Sequence, residues 1–565
     1  MAALQQYQRQ SGPVVESWEV RDFKALEFAE SPLRGLTVLA GANSSGKSSL
    51  LQSLQLVAQS ADQEVTLNGN LVRLGVPRDV IRNGASVLSL GCTATTRDDE
   101  EITTWQIEFA LRQKSDGLRV SECHVTRDGR PCLAASDSRV TDRTHTQVDP
   151  DRVYGDTMLR VREIDGEGAP AHTYLSFNGL QPIALFPRTD EKSMLSELRR
   201  SYSLDGLRGD PIAAETFTEL VFSNFYRSQT SDTQDELSEA TRAVVSGGLL
   251  VEHSHRPPVT RNMIDLLHRA LARKDANGAW QQIPISPGLT SGARRPNPRY
   301  LPLMIPSFET AFQAASIASA VYGMVGRSVR HVGPLREEPQ VVSKSATRSR
   351  TSPVGPRGEL TADVLSTRTA NVAFRDWDNI RRRMSLTSAV SLWSNYLGIG
   401  DDVSVEDQGK LGRGIRIKVN GVARDLTMIG VGASQLLPII TTVLDSAAGS
   451  IVLLEQPELH LHPSVQSRLG DFLLYARPDL CIIAETHSEY LVTRLRRRVA
   501  EERLFGRKIH LLFAEPSESG TEVRELGVTS LGNLSEWPHG FFDAHDSDAR
   551  AIVKALTDRK IHDAR

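Results

Sequence analysis

Residues 41–48 read Gly-Ala-Asn-Ser-Ser-Gly-Lys-Ser, the G-x-x-x-x-G-K-[ST] pattern of a phosphate-binding loop. The short apolar run 36–40 (LTVLA) precedes it, and SLLQSLQLVAQS follows with helical spacing. Strand, glycine loop and helix in that order commit the chain to an α/β sheet with an anion held at one strand end. Gly41 and Gly46 allow backbone conformations that a side chain would block, so the amides wrap close to phosphate. Lys47 is expected to neutralise the β- and γ-phosphates and Ser48 to ligate Mg²⁺. Asn43, Ser44, Ser45 and Ser49 complete the expected ATP-binding segment.

A second set of signals lies some four hundred residues downstream. Residues 451–463, IVLLEQPELHLHP, are a buried-strand pattern ending in a carboxylate. An acid at the C-terminal end of such a strand suits the Mg²⁺ shell, and Glu455 is the residue expected there, with Ser48 as the other protein ligand. His460 and His462 are read as ordering the loop, since Leu461 separates them and Pro463 follows. Residues 479–487 (DLCIIAETH) form another apolar strand ending in polar groups, and His487 is placed to reach a γ-phosphate. Gly432, Ala433, Ser434 and Gln435 open the helical run LLPIITTVL, a second helix N-terminus competent to meet an anion.

At 565 residues the chain exceeds one hydrophobic core. The division expected is an N-terminal ATPase lobe with a β subdomain over 14–190, a helical insertion over 191–330, a C-terminal ATPase lobe over 331–500 and a tail over 501–565. Between 85 and 190, alternating stretches joined by turns such as Asp128-Gly129 predict an antiparallel sheet. The Ser/Thr/Arg/Pro/Gly-rich segment 340–361 is expected to be a mobile loop. Cys92, Cys123, Cys132 and Cys481 lack C-x-x-C spacing and are read as reduced and buried. The N-terminus has no signal-peptide pattern, and no run approaches the roughly 18–20 apolar residues of a membrane helix. A cytoplasmic protein that does not engage a membrane is expected. The net charge of −3 excludes a wholly basic nucleic-acid binder but permits local basic patches.

GANSSGKSS, VGASQLLPII, LLEQPELHLHP and IIAETHSEYL together resemble the ABC-type ATPase heads, and within them the OLD-like and Septu-type ATPases of prokaryotic antiphage defence. HVGPLREEPQ (331–340) and WPHGFF (537–542) resemble the same subgroup. The resemblance covers about the first 60 residues and about 330–545. It implies a P-loop NTPase of ABC-head type, α/β, with an antiparallel β subdomain and a helical insertion. It also implies a homo-oligomer, a dimer or higher, with ATP sandwiched between one subunit's phosphate loop and residues 432–435 of the other. The family's Asp-Glu pair is Glu455-Gln456 here, and a glutamine amide cannot take the proton of attacking water. Slow hydrolysis follows, or a base borrowed from Glu458 or Glu485; Glu455, Gln456, Glu458 and His487 form the expected catalytic group. Residues 432–435 lack the family's Ser-Gly-Gly core, and Asp79 is the one weak candidate for a glutamine-loop position.

The OLD resemblance raises a metal-dependent nuclease domain, but Glu515, Glu518, Glu522, Glu525, Asp543, Asp546 and Asp548 lack its spacing and read as solvated surface. A chain without its own nuclease is expected to gate a separate effector, by resemblance an HNH nuclease. Arg494, Arg496, Arg497 and Arg498, and the run Arg381–Arg383, suit DNA phosphates. A helix face neutralised by Glu501 and Glu502 is the competing reading of the first cluster. The alternatives carried forward are a RecF- or SMC-like ATPase that clamps DNA, and a non-hydrolysing scaffold that needs ATP to assemble.

Overall fold

The computed structural model describes residues 12–43, 45–61, 63–98, 101–114, 117–137, 157–168, 173–187, 283–284, 306–341, 351–517, 520–536 and 551–555. The N-terminal part runs β1 (Val14–Phe23), β2 (Leu26–Pro32), β3 (Leu36–Gly41), α1 (Lys47–Gln59), α2 (Pro77–Val80), β4 (Leu88–Asp98), β5 (Glu101–Lys114), β6 (Gly117–Arg127), β7 (Arg130–Ser136), β8 (Thr157–Ile164), β9 (Glu167–Gly168), β10 (Thr173–Asn178), β11 (Gln181–Pro187) and β12 (Ile283–Pro284). Next come α3 (Pro306–Ser328), β13 (Val329–Val332), α4 (Thr361–Thr367), β14 (Val372–Arg375), β15 (Arg381–Met384), α5 (Leu386–Leu397), β16 (Asp402–Asp407), β17 (Arg413–Val419) and β18 (Val422–Asp425). The chain continues through α6 (Val431–Asp445), β19 (Ile451–Glu455), α7 (Pro463–Tyr475), β20 (Cys481–Glu485), α8 (Glu489–Ala500), β21 (Ile509–Ser517) and β22 (Gly520–Leu526).

The fold is α/β. Its nucleus is the parallel set β13–β19–β20–β3–β21. The N-terminal β3 is therefore inserted between two strands from the far end of the chain. Past β21 the sheet turns antiparallel through β22, which lies parallel to β2. It then continues through β1, β4, β5, β6, β7, β8, β10 and β11 as an antiparallel run. The expected antiparallel β region is thus continuous with the nucleotide-binding sheet. Asp128 and Gly129 both take positive φ (50° and 76°), the two-residue turn that joins β6 to β7.

Side-chain alternation divides the nucleus into two faces, each with its own core. Leu453 and Ile483 lie in one apolar cluster with Leu50, Leu51 and Leu54 of α1 and Val321 and Val325 of α3. Val452, Leu454, Ile482 and Ala484 lie in the other, with Leu436 and Ile440 of α6, Trp393 of α5, Phe472 of α7 and Leu491 of α8. On the first face Trp18 donates from Nε1 to Ser53 Oγ at 2.9 Å, fixing β1 to α1. Tyr322 stacks on Phe109 with ring centroids 4.2 Å apart, fixing α3 to the antiparallel strands. Burying aromatics of this size is among the larger favourable contributions available to a core.

One expectation is amended. The second half of the segment read as a mobile loop is packed: Ser352 and Val354 are buried, and Ser352 Oγ donates to His331 O at 2.9 Å. Composition alone misleads here, because short turns bury small residues when a neighbouring strand end accepts their bonds. Within the expected insertion, α3 is a helix from Pro306 and β12 is a strand; 191–282 and 285–305 lie outside the described residues, as do 342–350, Ser44, Glu518 and 537–550. The four cysteines are free and buried as expected. Among the described residues no helix is long and apolar enough to cross a membrane.

Candidate nucleotide site

The phosphate loop sits at the C-terminal edge of β3. Gly46 has φ 79° and caps α1, and a Cβ at Gly41 (φ 143°) would meet Ala514 O of β21 at 2.3 Å. Both positions need glycine for the loop to close this tightly. Lys47, 3 % exposed, curls its Nζ into the loop, donating to Ala42 O at 2.5 Å and Gly41 O at 3.2 Å, with Ser45 Oγ at 3.4 Å. Burial lowers its pKa, opposed by Glu485 and Glu458. Asn43 is exposed and Ser49 buried, its amide bonded to Gly46 O. A buried ammonium beside the backbone amides that open a helix makes an anion-accepting loop.

Glu455 and Glu485 are register partners at the ends of β19 and β20. Both share the face of Leu453 and Ile483, the face that α1 covers. Two positions on one side of α1 therefore reach them: Ser48 Oγ donates to Glu485 Oε1 at 3.0 Å, across 437 positions of sequence, and Gln55 Nε2 donates to Glu455 Oε1 at 3.0 Å. His331 Nε2, from β13 on the other side, lies 2.8 Å from the same Glu455 oxygen, and facing a carboxylate it is the donor. Burial would raise the pKa of Glu455, but the His331 bond, the Gln55 amide and Arg336 outweigh it and hold the group below its usual range. Glu485 goes the other way: burial raises it more than the Ser48 bond and Lys47 lower it.

The turn after β19 completes the cluster. Gln456 takes φ 43°, and its amide donates to Glu485 O at 2.8 Å. Arg336, 5 % exposed, donates from Nη2 to Glu455 O at 3.0 Å and Gln456 O at 3.2 Å. Its Nε and Nη1 are buried with no hydrogen-bond partner, and burial lowers its pKa to about 10. Glu458 accepts from the His487 amide at 2.6 Å and is pushed up in pKa, chiefly by burial. His487 is pushed down by burial and then by Lys47. Lys47, Ser48, Glu455, Gln456, Glu458, Glu485 and His487 thus meet at one sheet edge.

Residues 432–435 are arranged differently. Gly430 caps α6, Ser434 Oγ donates to Val431 O at 2.8 Å, and Gly432 lies against His460 and Leu461. Among the described residues none of the four hydrogen-bonds to the phosphate loop. His462 caps α7, its Nδ1 accepting from Ser464 N at 3.3 Å, so it orders the loop as expected. Asp79 closes a capping box on α2 through Val76 N. Gln55, His331 and Arg336 carry no assignment from the sequence: no periodicity marks a buried polar side chain, and HVGPLREEPQ is legible only as a segment.

Metal is implied by the phosphate loop. Among the described residues no group of three or more His, Cys, Asp or Glu gathers as an all-protein metal cage. Mg²⁺ does not need one: one or two carboxylates with a hydroxyl and phosphate oxygens suffice. Ser48 with the adjacent Glu455 and Glu485 is such a donor set, and Glu485 Oε2 is buried with no hydrogen-bond partner.

This combination of sheet, loop and strand-end acids defines a P-loop nucleotide-binding ATPase class. Residues 373–493 match a family described as "AAA domain, putative AbiEii toxin, Type IV TA system", and the chain carries an AAA-type ATPase domain. Residues 507–552 match "Protein of unknown function (DUF3696)". No curated protein matches. Among solved structures, the Smc head domain of Pyrococcus furiosus, with an extended coiled coil and bound to the C-terminal domain of ScpA, is similar at 12 % identity and TM-score 0.35, covering 96 % of this chain and 100 % of that one. The SMC head domain from Thermotoga maritima is similar at 8 % identity and TM-score 0.32, covering 91 % and 100 %. Both likenesses are weak over the whole chain.

Proposed function

We propose that the protein binds Mg-ATP at this site, hydrolyses it slowly, and uses the bound state of a head-to-head oligomer to gate a partner effector nuclease in antiphage defence. The observation that carries the enzymatic part is the convergence of Lys47 and Ser48 with Glu455, Glu485 and Glu458 around one sheet edge. Bound Mg²⁺ supplies charge to the phosphates; the chain's own groups bind, orient and move protons. Lys47 leaves its loop carbonyls for phosphate oxygens. Gln456, held in its left-handed turn by Arg336 and the Glu485 carbonyl, orients water without taking its proton. Glu458, raised in pKa beside His487, is the base suited to that proton. Residues 432–435 open a helix N-terminus that, among the described residues, makes no hydrogen bond to the loop, and this favours a role across a subunit interface.

The defence assignment draws on the type IV toxin–antitoxin description of the family matched by residues 373–493. A DNA-clamping reading is favoured by one feature. Arg381 and Arg383 are exposed on the β14–β15 hairpin with no side-chain partner among the described residues. The test measures Mg-ATP uptake, steady-state turnover and oligomer mass for wild type and Lys47→Ala, with and without an HNH partner. ATP-dependent assembly with turnover well below one per second is expected. Turnover of tens per second, or no ATP uptake by wild type, overturns the proposal.

A further inference from the structure

The geometry points to Glu485, and not Glu455, as the carboxylate that shares the divalent cation with Ser48. This rests on the Mg-ATP reading above and goes beyond it by assigning the ligand. The first argument is sheet order. β20 lies directly beside β3, whereas β19 lies one strand further out. At about 4.8 Å per strand, the Glu455 backbone starts about 10 Å from the phosphate-loop strand and the Glu485 backbone half as far.

The second argument is distance. Octahedral Mg²⁺ holds oxygens at about 2.1 Å, which puts neighbouring ligand oxygens about 3.0 Å apart. Ser48 Oγ and Glu485 Oε1 are 3.0 Å apart. That spacing admits a cation on both oxygens with little side-chain movement, the hydroxyl proton turning away.

The third argument is what each carboxylate already holds. Glu455 Oε1 accepts from both His331 and Gln55, and Arg336 binds its main-chain carbonyl. Those bonds fix it from β13 and from α1. Glu485 is 4 % exposed, accepts from Ser48 alone, and keeps Oε2 buried without any hydrogen-bond partner. An unpaired carboxylate oxygen at such depth is costly unless a cation or donor meets it. Glu455, oriented by His331 and Gln55, is a positioning neighbour that shapes the field around that cation.

The test compares metal-free and Mg²⁺-supported binding of a fluorescent ATP analogue to the full chain, and counts bound Mn²⁺ by electron paramagnetic resonance. Glu485→Gln and Ser48→Ala are expected to keep metal-free nucleotide binding while losing about tenfold or more of the metal-dependent gain. Glu455→Gln is expected to retain most of that gain and its bound Mn²⁺. Retained metal-free binding certifies the fold of each variant. Should Glu485→Gln fail to fold, Glu485→Asp, which keeps the charge but withdraws it from Ser48, is expected to lose part of the gain. The assignment is overturned if Glu455→Gln loses as much as the Glu485 variant, or if neither loses it. No binding of any nucleotide by wild type sinks the Mg-ATP reading itself.

Discussion

Asp471→Ala is expected to destabilise the lobe built from α5, α7 and α8 by about 3–5 kcal/mol, the usual cost of removing one partner from a buried ion cluster. Asp471 is fully buried. Its Oδ1 accepts from Arg498 Nε at 2.7 Å; its Oδ2 accepts from Arg494 Nη2 at 2.6 Å, Arg498 Nη2 at 3.0 Å and Tyr396 Oη at 2.5 Å. Truncation leaves the buried Arg498 and the largely buried Arg494 without their anion. Only Arg498 has a second one, Glu501, at 2.6 Å. Urea unfolding followed by tryptophan fluorescence reads the change, because Trp393 packs edge-on to both Tyr396 and Phe472. The pH dependence carries a sign. Burial would raise the Asp471 pKa, but the bonds from Arg498, Arg494 and Tyr396 outweigh it and depress it. The stabilisation is therefore complete above the ordinary aspartate range, near 3.9, and is lost as pH falls through the depressed folded value. The gap between wild type and variant should stay constant from pH 7 to 5 and close only in stronger acid. A loss under about 1 kcal/mol at pH 7, or a gap that closes above pH 5, refutes this account of the arginine cluster.

Gln456→Glu places an ionisable group in the turn after β19, where the proposed mechanism orients water, and is expected to raise steady-state turnover about tenfold or more, read by phosphate release; an unchanged rate would remove Gln456 as the reason for slowness. Glu458→Gln is expected to keep ATP binding and abolish the acid limb of the pH–rate profile. Because burial raises the Glu458 pKa, the wild-type rate should fall as pH drops through a midpoint above the ordinary 4.5. Gly41→Ala forces a Cβ onto Ala514 O at a φ that L-residues rarely adopt, so it should cost about 1–3 kcal/mol locally and nucleotide uptake with it, measured by calorimetric titration. Charge reversal at Arg381 and Arg383 should weaken any DNA binding and lower the magnitude of the salt slope by about two. Reversal at Arg497, whose Nε already meets Glu501 Oε1 at 2.6 Å, should change it little.

Three of the five strands of the parallel nucleus were legible because each is an apolar run that ends in a chemical signal: LTVLA into the glycine loop, IVLL into Glu455, CIIA into Glu485. Both faces of such strands are buried, so the pattern survives without knowledge of the partners. The junction of β22 with β2 was not legible. It is a parallel pairing of only a few residues between the two ends of the chain, and nothing local in Leu26–Pro32 or Gly520–Leu526 specifies the other. The packed turn at Ser352 was hidden for a related reason: its hydroxyl bonds His331, which belongs to β13.

The site divides along the same line. Residues whose role is dictated by backbone conformation, such as Gly41, Gly46 and the helix-opening Lys47, are legible as a contiguous motif. Residues whose role is dictated by which side chain faces which cannot be read that way, because a carboxylate at a strand end looks identical whether it meets a hydroxyl, a histidine or an amide. Glu455 and Glu485 occupy equivalent positions on neighbouring strands, and only the order β19–β20–β3 separates them. Ser48 and Gln55 then sort the pair, since a separation of seven residues returns to nearly the same side of α1 and spans about 10 Å of its axis. The helix that begins at the phosphate loop thus measures out which acid lies nearest that loop, and that measurement exists only once both ends of the chain share a sheet.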